Sequence, residues 1–338
     1  MFNRREFSTT LALASASGLV RPRATFGIGQ QSTVFDWRPI RDAMRVAFGA
    51  GGNVLAVNDG SSLVLVDTKN AGFGEVLRAE AESFGGTLES VVNTHHHGDH
   101  IGGNPFFTGV VPVYGQERGA ARAMAGGSQM LAGILRDHVG RLERFTQQVD
   151  NMDISGEARS AGSQSVAAFM AMAEEQMTAM SFSATETFES EQEVTVGSTT
   201  LELRHIDRGH TDNDVFVFLP EAKVIHGGDL FFNGLHPRID TGADATTVGW
   251  QNCLKAMIEL CDADTVCIPG HGEISDINGL QDFSNYFDIL RDFVQKEIDD
   301  GRTRDQIIEM QPPEFADWSP RRLNDNLGVV YDELTASS

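Results

Sequence analysis

The chain has 338 residues, 41% of them hydrophobic, enough for a substantial core, and no run of about 18 apolar residues that would cross a membrane as a helix. Its net charge is −22, from 48 acidic and 26 basic side chains, and only Lys69, Lys223, Lys255 and Lys296 are lysines. Such a surface repels phosphate backbones and excludes nucleic acid as a partner.

At the N-terminus, Arg4-Arg5 precede a mildly apolar stretch from Leu11 to Val20, and Arg21-Pro22-Arg23-Ala24 follow it. The paired arginines, modest hydrophobicity and later arginines resemble a twin-arginine export signal over residues 1–24. Engagement by the twin-arginine export machinery implies a periplasmic or secreted protein that folds and loads its cofactor first. Residues 35–275 read as one α/β domain. Within it, residues 42–67 alternate β-like runs with glycine turns, and a helix near Phe73 to Phe84 leads into the apolar run Leu88 to Val92.

The next residues, Thr94-His95-His96-His97-Gly98-Asp99-His100, carry four imidazoles and a carboxylate. Packing does not explain that density, whereas neutral imidazoles with a carboxylate suit a borderline metal such as Zn²⁺. On an extended strand end His95 and His97 point to one side and His96 to the other, where it is a packing or orienting residue. Asp99 and His100 follow on a turn at Gly98 and can reach a second ion.

From about 116 to 188 the pattern is mostly helical, with a Gly/Ser-rich break expected around Gly156 to Ser165. Met124, Met130, Met152, Met170, Met172, Met177 and Met180 cluster there. They are either core positions of packed helices or an apolar lid over the metals. Residues 192–230 return to strands, carrying Gly209-His210-Thr211 and then Gly227-Gly228-Asp229. The loop after Asp229 should hang over the site and offers Phe232, Asn233, His236 and Arg238 as substrate contacts, with Arg238 for a carboxylate and His236 for a leaving group. An amphipathic helix, Val248 to Cys261, precedes a strand at 264–268 and the loop Pro269-Gly270-His271-Gly272. The tail, 276–335, reads as three helices with an inner stripe of Phe283, Tyr286, Phe287, Leu290 and Phe293, covering the domain. Cys253, Cys261 and Cys267 give no disulfide framework and read as small apolar residues.

The four histidine- and aspartate-bearing motifs, in this order, resemble the metallo-β-lactamase superfamily pattern HxHxDH, GHT, GD and a late His. The first motif with Ile101-Gly102-Gly103-Asn104 is similar to the glyoxalase II type, and His210 to Pro220 is more like true metallo-β-lactamases. The resemblance implies a four-layer αβ/βα sandwich with a helical insertion and a helical C-terminal tail. It implies one metal on His95, His97 and His210, a second on Asp99, His100 and His271, and Asp229 bridging both. Asp67 matches a position that buttresses the site. True lactamases with the closest His210 segment carry Cys in place of Asp229 and Arg in place of His100, so the pattern here favours a symmetric two-metal site.

Two ions about 3.5–4 Å apart share a water and lower its pKa towards neutrality. The expected function is thus a metal-dependent hydrolase, with two Zn²⁺ per chain (iron or manganese suit the same donors). Its metal-bound hydroxide would attack an ester, thioester, lactone or lactam in a small-molecule substrate, with Asp99 and Asp229 as the catalytic residues that orient the water and accept its proton. Two other classes compete: an iron-dependent oxidoreductase of the persulfide dioxygenase type, and a non-catalytic metal-binding module. A single-iron site would leave His100 and His271 spare, and no ligand position is missing for a mere binding module.

Overall fold

A computed structural model describes residues 32–41, 44–175, 180–316, 318 and 321–336, all within one unit, Gln31–Ser338. The expected export signal and Met177 lie outside the described residues. Strands β1 (Asp36–Arg41), β2 (Met44–Phe48), β3 (Val54–Asn58), β4 (Ser62–Val66), β5 (Thr87–Val92), β6 (Val113–Gln116) and β7 (Glu186–Phe188) form a sheet in chain order. Its first four strands are an antiparallel meander, and from β4 onward neighbours run parallel. Strands β8 (Glu191–Val196), β9 (Thr199–Arg204), β10 (Phe216–Leu219), β11 (Val224–His226) and β12 (Val266–Ile268) form the second sheet, antiparallel except for the β11–β12 pair.

Strand β3 shows why the two sheets stack. Its Leu55 and Val57 enter an inner core with Val64, Val66, Val92, Leu203 and Val217, shared between the sheets. Its alternate residues Val54 and Ala56 enter an outer core with Val76 and Leu77 of helix α1 (Gly74–Ser83). A strand apolar on both faces must be covered on both. The short helix α2 (Gly98–Ile101) follows β5. The insertion supplies α3 (Glu117–Arg136), α4 (His138–Asp150) and α5 (Gly156–Glu175), of which α4 and α5 join that outer core through Val149, Ala158 and Val166. On the far side, Phe216, Ile225 and Cys267 of the second sheet pack against α6 (Thr247–Leu260), α7 (Ile277–Asp299), α8 (Arg304–Ile308) and α9 (Leu323–Ala336). The order of layers is therefore helix, sheet, sheet, helix, as expected.

The three tail helices are present and anchored by the expected stripe, with Phe283, Tyr286, Phe287 and Leu290 buried around Trp250. Each buried aromatic contributes on the order of 4–6 kcal/mol of gross transfer free energy, so the tail is bonded to the sandwich as firmly as a core element. The expected break at Gly156 to Ser165 is instead the first half of α5. Small residues there serve close approach: a Cβ on Gly162 would come 3.0 Å from Val149 of α4, and Ser165 Oγ donates to the Gly72 carbonyl at 2.6 Å. Four of the clustered methionines follow the core reading, whereas Met124 is exposed. Met170 is buried with Phe169 and Ile134, Met130 and Met180 pack beside them, and Met152 joins the outer core.

Candidate metal centre

Three of the four motifs sit where strands end. β5 stops at Val92, and Thr94 to His100 turn across its end. The loop between β9 and β10 delivers His210, a 3₁₀ turn after β11 delivers Asp229, and the loop after β12 delivers His271. The backbone at this edge is crowded. A Cβ on Gly270 would lie 2.1 Å from Asp229 Oδ1, and one on Gly52 would lie 2.2 Å from the His100 ring, so both positions need glycine for close approach. Lys69, buried beneath the Gly52 turn, donates to the Ala47 and Gly52 carbonyls at 2.7 Å each, and burial pushes its pKa down to about 7.

Asp229 stands between two sets of side chains, each able to hold a metal ion. Its Oδ2 lies 3.4 Å from His210 Nε2 and 3.8 Å from His95 Nε2, and His97 Nδ1 is 2.8 Å from His210 Nε2. Its Oδ1 lies 3.1 Å from His100 Nε2 and 3.4 Å from His271 Nε2. Asp99 Oδ2 completes that second set, 3.2 Å from His271 Nε2 and 3.7 Å from His100 Nε2. All seven residues singled out as metal ligands thus converge.

The opposite edge of His95, His97, His100 and His210 shows how each ring's inward nitrogen is aimed. Asp67 accepts from the Thr94 amide and hydroxyl at 2.8 Å each and holds His100 Nδ1 at 2.7 Å. Thr94 Oγ1, having given its proton to Asp67, accepts from His95 Nδ1 at 3.1 Å. The Arg238 carbonyl accepts from His210 Nδ1 at 2.6 Å. Asp240 Oδ2 holds His97 Nε2 at 2.7 Å and so turns Nδ1 inward. Each partner places the ring proton on the outer nitrogen. Asp67 does this at φ +70°, a left-handed backbone that its three side-chain hydrogen bonds hold in place.

Charge at the centre points the same way. Burial, with the other imidazoles beside it, holds His95 well below the usual histidine range. Burial, only partly offset by Asp229, pushes His210 down to about 3. At His271 burial lowers the pKa, but Asp229 and Asp99 outweigh it and raise the group to about 9. His100 is raised well above its usual value against the same burial, by Asp229, Asp99 and Asp67. Carboxylates in this pocket call for positive charge, which protons supply in the ion-free chain. His95 Nε2 is buried with no hydrogen-bond partner among the described residues, and buried Asp229 Oδ1 has only the ion-pair contacts with His100 and His271. Buried donor atoms of imidazole and carboxylate type fit a pair of divalent cations.

His96 lies outside both sets. Its amide donates to Asn213 Oδ1 at 3.2 Å, its ring contacts the same side chain, and burial lowers its pKa to about 4. With His97 and Asp240 it forms a third close group, but His97 Nε2 there is already bonded to Asp240. His226 is buried, contacting the Asn53 carbonyl and the Gly228 amide, and His205 contacts the Asp214 carbonyl.

A cavity of about 380 Å³ opens beside the cluster, walled by Phe232, Leu235, His236, Arg238, Arg321 and Arg322. Phe232 stacks on His271, ring centroids 5.4 Å apart. Asn233 does not line the cavity; its Nδ2 donates to the Glu273 carbonyl at 2.8 Å and steadies the His271 loop. None of the described methionines lines it either. The sequence reading missed Asp240, whose role depends on a loop folding back 143 positions to His97. It also missed Arg321 and Arg322, although an arginine pair in so acidic a chain was a signal.

Comparison with known proteins agrees. The metallo-beta-lactamase superfamily model matches residues 48–271, and the chain belongs to that superfamily. It is 28% identical over 80 residues to a metallo-beta-lactamase type 2 from Bacillus sp. (strain 170), and 26% identical over the same length to one from Bacillus cereus. Either match spans 24% of this chain and 31% of the relative. Among solved structures it resembles a metallo-beta-lactamase from Pontibacter korlensis (TM-score 0.53, 18% identity, 75% of this chain and 99% of that one). It also resembles a double mutant of a sec-alkyl sulfatase (TM-score 0.58, 18% identity, 89% of this chain and 50% of that one).

Proposed function

We propose that this superfamily member is a metal-dependent hydrolase that cleaves an ester, thioester, lactone or lactam in a small molecule. His95, His97 and His210 would hold one divalent ion and Asp99, His100 and His271 the other, with Asp229 between them; zinc suits the donors best. The observation that carries the reading is the set of outer hydrogen bonds to His95, His97, His100 and His210, which aim the other nitrogen of each ring into the two groups that share Asp229. Divalent ions held there supply Lewis acidity and a water acidified towards neutral pH. Asp99, a third exposed and kept ionised by His100 and His271 against its burial, faces the cavity and can orient that water and take its proton. Phe232 holds the His271 ring and presents an apolar wall to the substrate.

The complete second set of ligands favours two-ion hydrolysis over single-iron persulfide oxidation. The similar structures include lactamases and a sulfatase, so the fold alone does not choose the bond that is cleaved. The Arg4-Arg5 segment supports export by the twin-arginine route, after metal loading. Elemental analysis of the purified chain should find two zinc ions per molecule, and a panel of chromogenic esters, thioesters, lactones and cephalosporins should show turnover of at least one class. A single iron, with turnover of persulfide and not of the panel, would overturn the reading.

A further inference from the structure

The cavity wall facing the ligand cluster has a chemistry of its own. His236 is buried in an aromatic cage, with Tyr286, Phe315 and Trp318 ring centroids 5.5, 5.4 and 5.4 Å away. Its proton can be placed by following the hydrogen bonds. Asn326 Nδ2 lies 3.0 Å from the Pro237 carbonyl, which only accepts, so that atom is the amide nitrogen. The same nitrogen donates to the Tyr286 hydroxyl at 2.9 Å. The hydroxyl has one other partner among the described residues, His236 Nδ1 at 3.0 Å, and gives its proton there. Nδ1 accepts, so Nε2 carries the ring proton. Nε2 is buried and has no partner among the described residues.

Three guanidiniums share this wall. Arg238 is held 3.1 Å from Asp240, while Arg321 and Arg322 make no ion pair with a carboxylate among the described residues. Arg322 takes φ +77°, a left-handed backbone that costs a non-glycine residue about 1–2 kcal/mol. Arg238, Arg321 and Arg322 line the same cavity as Asp99 and Asp229, which places the three guanidiniums on the wall beside the cluster. A chain of net charge −22 has ample carboxylate with which to neutralise such a group, yet leaves it open toward the cavity.

We propose that this wall is an anion-recognition site: Arg322, Arg321 and Arg238 grip an oxyanion group of the substrate, His236 Nε2 donates to it, and the bond to be cleaved is thereby set beside Asp229. The inference rests on the hydrolase reading and narrows it to anionic substrates, small molecules that carry a carboxylate, sulfate or phosphate. The three share negative oxygens and differ in shape. A tetrahedral sulfate or phosphate suits an ester cleaved at that group, and a planar carboxylate suits a handle remote from the reacting carbonyl.

The test has two readouts on the metal-loaded full chain. Sulfate, phosphate and acetate are titrated against Trp318 fluorescence, in the wild type and in Arg322→Ala and Arg321→Ala. Binding should saturate and weaken about 10- to 100-fold in each variant. The stronger of sulfate or phosphate against acetate assigns the shape. A pair of esters, 4-nitrophenyl hemisuccinate and 4-nitrophenyl butyrate, is then assayed. Arg322→Ala should raise KM for the charged ester by a similar factor and affect the neutral ester far less, so that the charged-to-neutral ratio of KM rises. His236→Phe keeps a ring in the cage and should weaken anion binding; because it leaves the buried Tyr286 hydroxyl without its acceptor, it should also lower the melting temperature by a few degrees, so binding is read well below that transition. Anions that fail to bind, or bind equally to the variants, together with an unchanged charged-to-neutral ratio, overturn the site even if esters are hydrolysed. Anion binding lost in the variants, with no probe hydrolysed, supports the site and defeats the hydrolase reading instead.

Discussion

Asp240 illustrates how a residue that touches no metal can decide whether a metal binds. Its carboxylate holds His97 Nε2 at 2.7 Å, and that bond keeps its pKa well below the usual carboxylate range. Without it the His97 ring can present either nitrogen, and half of its orientations place a proton where a lone pair is required. Asp240→Ala should therefore weaken zinc affinity about 10- to 100-fold, read by competition with a chromophoric chelator, and Asp240→Asn should restore part of it because the carboxamide oxygen still accepts. Equal affinity in the alanine variant would show that His97 is oriented by packing alone. At this scale the ligands themselves were legible in the sequence. Histidine and aspartate carry their chemistry in the side chain, and all seven ligand positions fall in four short motifs that contain glycine. Of their partners only Asp67 was, through the resemblance of its position to one that buttresses such sites. Asp240, Thr94 and the Arg238 carbonyl acquire meaning only through contacts made by folding, and a backbone carbonyl has no signature in any residue type.

The elements show the same division. Strands with alternating apolar residues and the amphipathic helices were readable because periodicity is imposed by one repeating geometry. The first half of α5 was not, since glycine and serine favour a break locally and only the neighbouring Val149 makes small size an advantage. What the insertion does for the site is likewise tertiary. Arg122 of α3 grips Asp212 through two bonds of 2.8 Å and reaches Asp244 at 2.8 Å, and Asp212 in turn accepts from Asn213, which holds His96. Thr211 donates through its amide and hydroxyl to buried Asp214, completing a rigid turn after His210. A partly exposed bidentate pair adds at most about 1–2 kcal/mol to global stability, so its removal acts locally. Arg122→Ala should speed amide hydrogen exchange across residues 209–214 while leaving the melting temperature within a few degrees. Unchanged exchange there would mean that the His210 turn is self-supporting and that α3 merely covers the first sheet.

On the scale of the whole molecule, the site lies where the two sheets meet. His95, His97, Asp99 and His100 follow β5 of the seven-stranded sheet, whereas His210, Asp229 and His271 are delivered by the five-stranded one. Each proposed ion therefore takes ligands from both halves, and unfolding must release it. An ion present at a hundred times its dissociation constant adds about 2.7 kcal/mol to the unfolding free energy. With an unfolding entropy near 2.1 cal/mol/K per residue, that is about 4 °C for a chain of this size, and about 8 °C for two ions. Treatment with a chelator should lower the melting temperature by roughly that amount, and adding zinc back should restore it in two steps if the ions differ in affinity. The inner core of Leu55, Val66, Leu203 and Val217 remains when the ions leave, so the ion-free chain should still unfold cooperatively. Two separate transitions after chelation, one per sheet, would mean instead that the ions and not the apolar interface join the halves. The apolar interface is the stronger bond on these magnitudes: two ions at that concentration supply about 5 kcal/mol, less than the gross contribution of three or four buried aliphatic side chains.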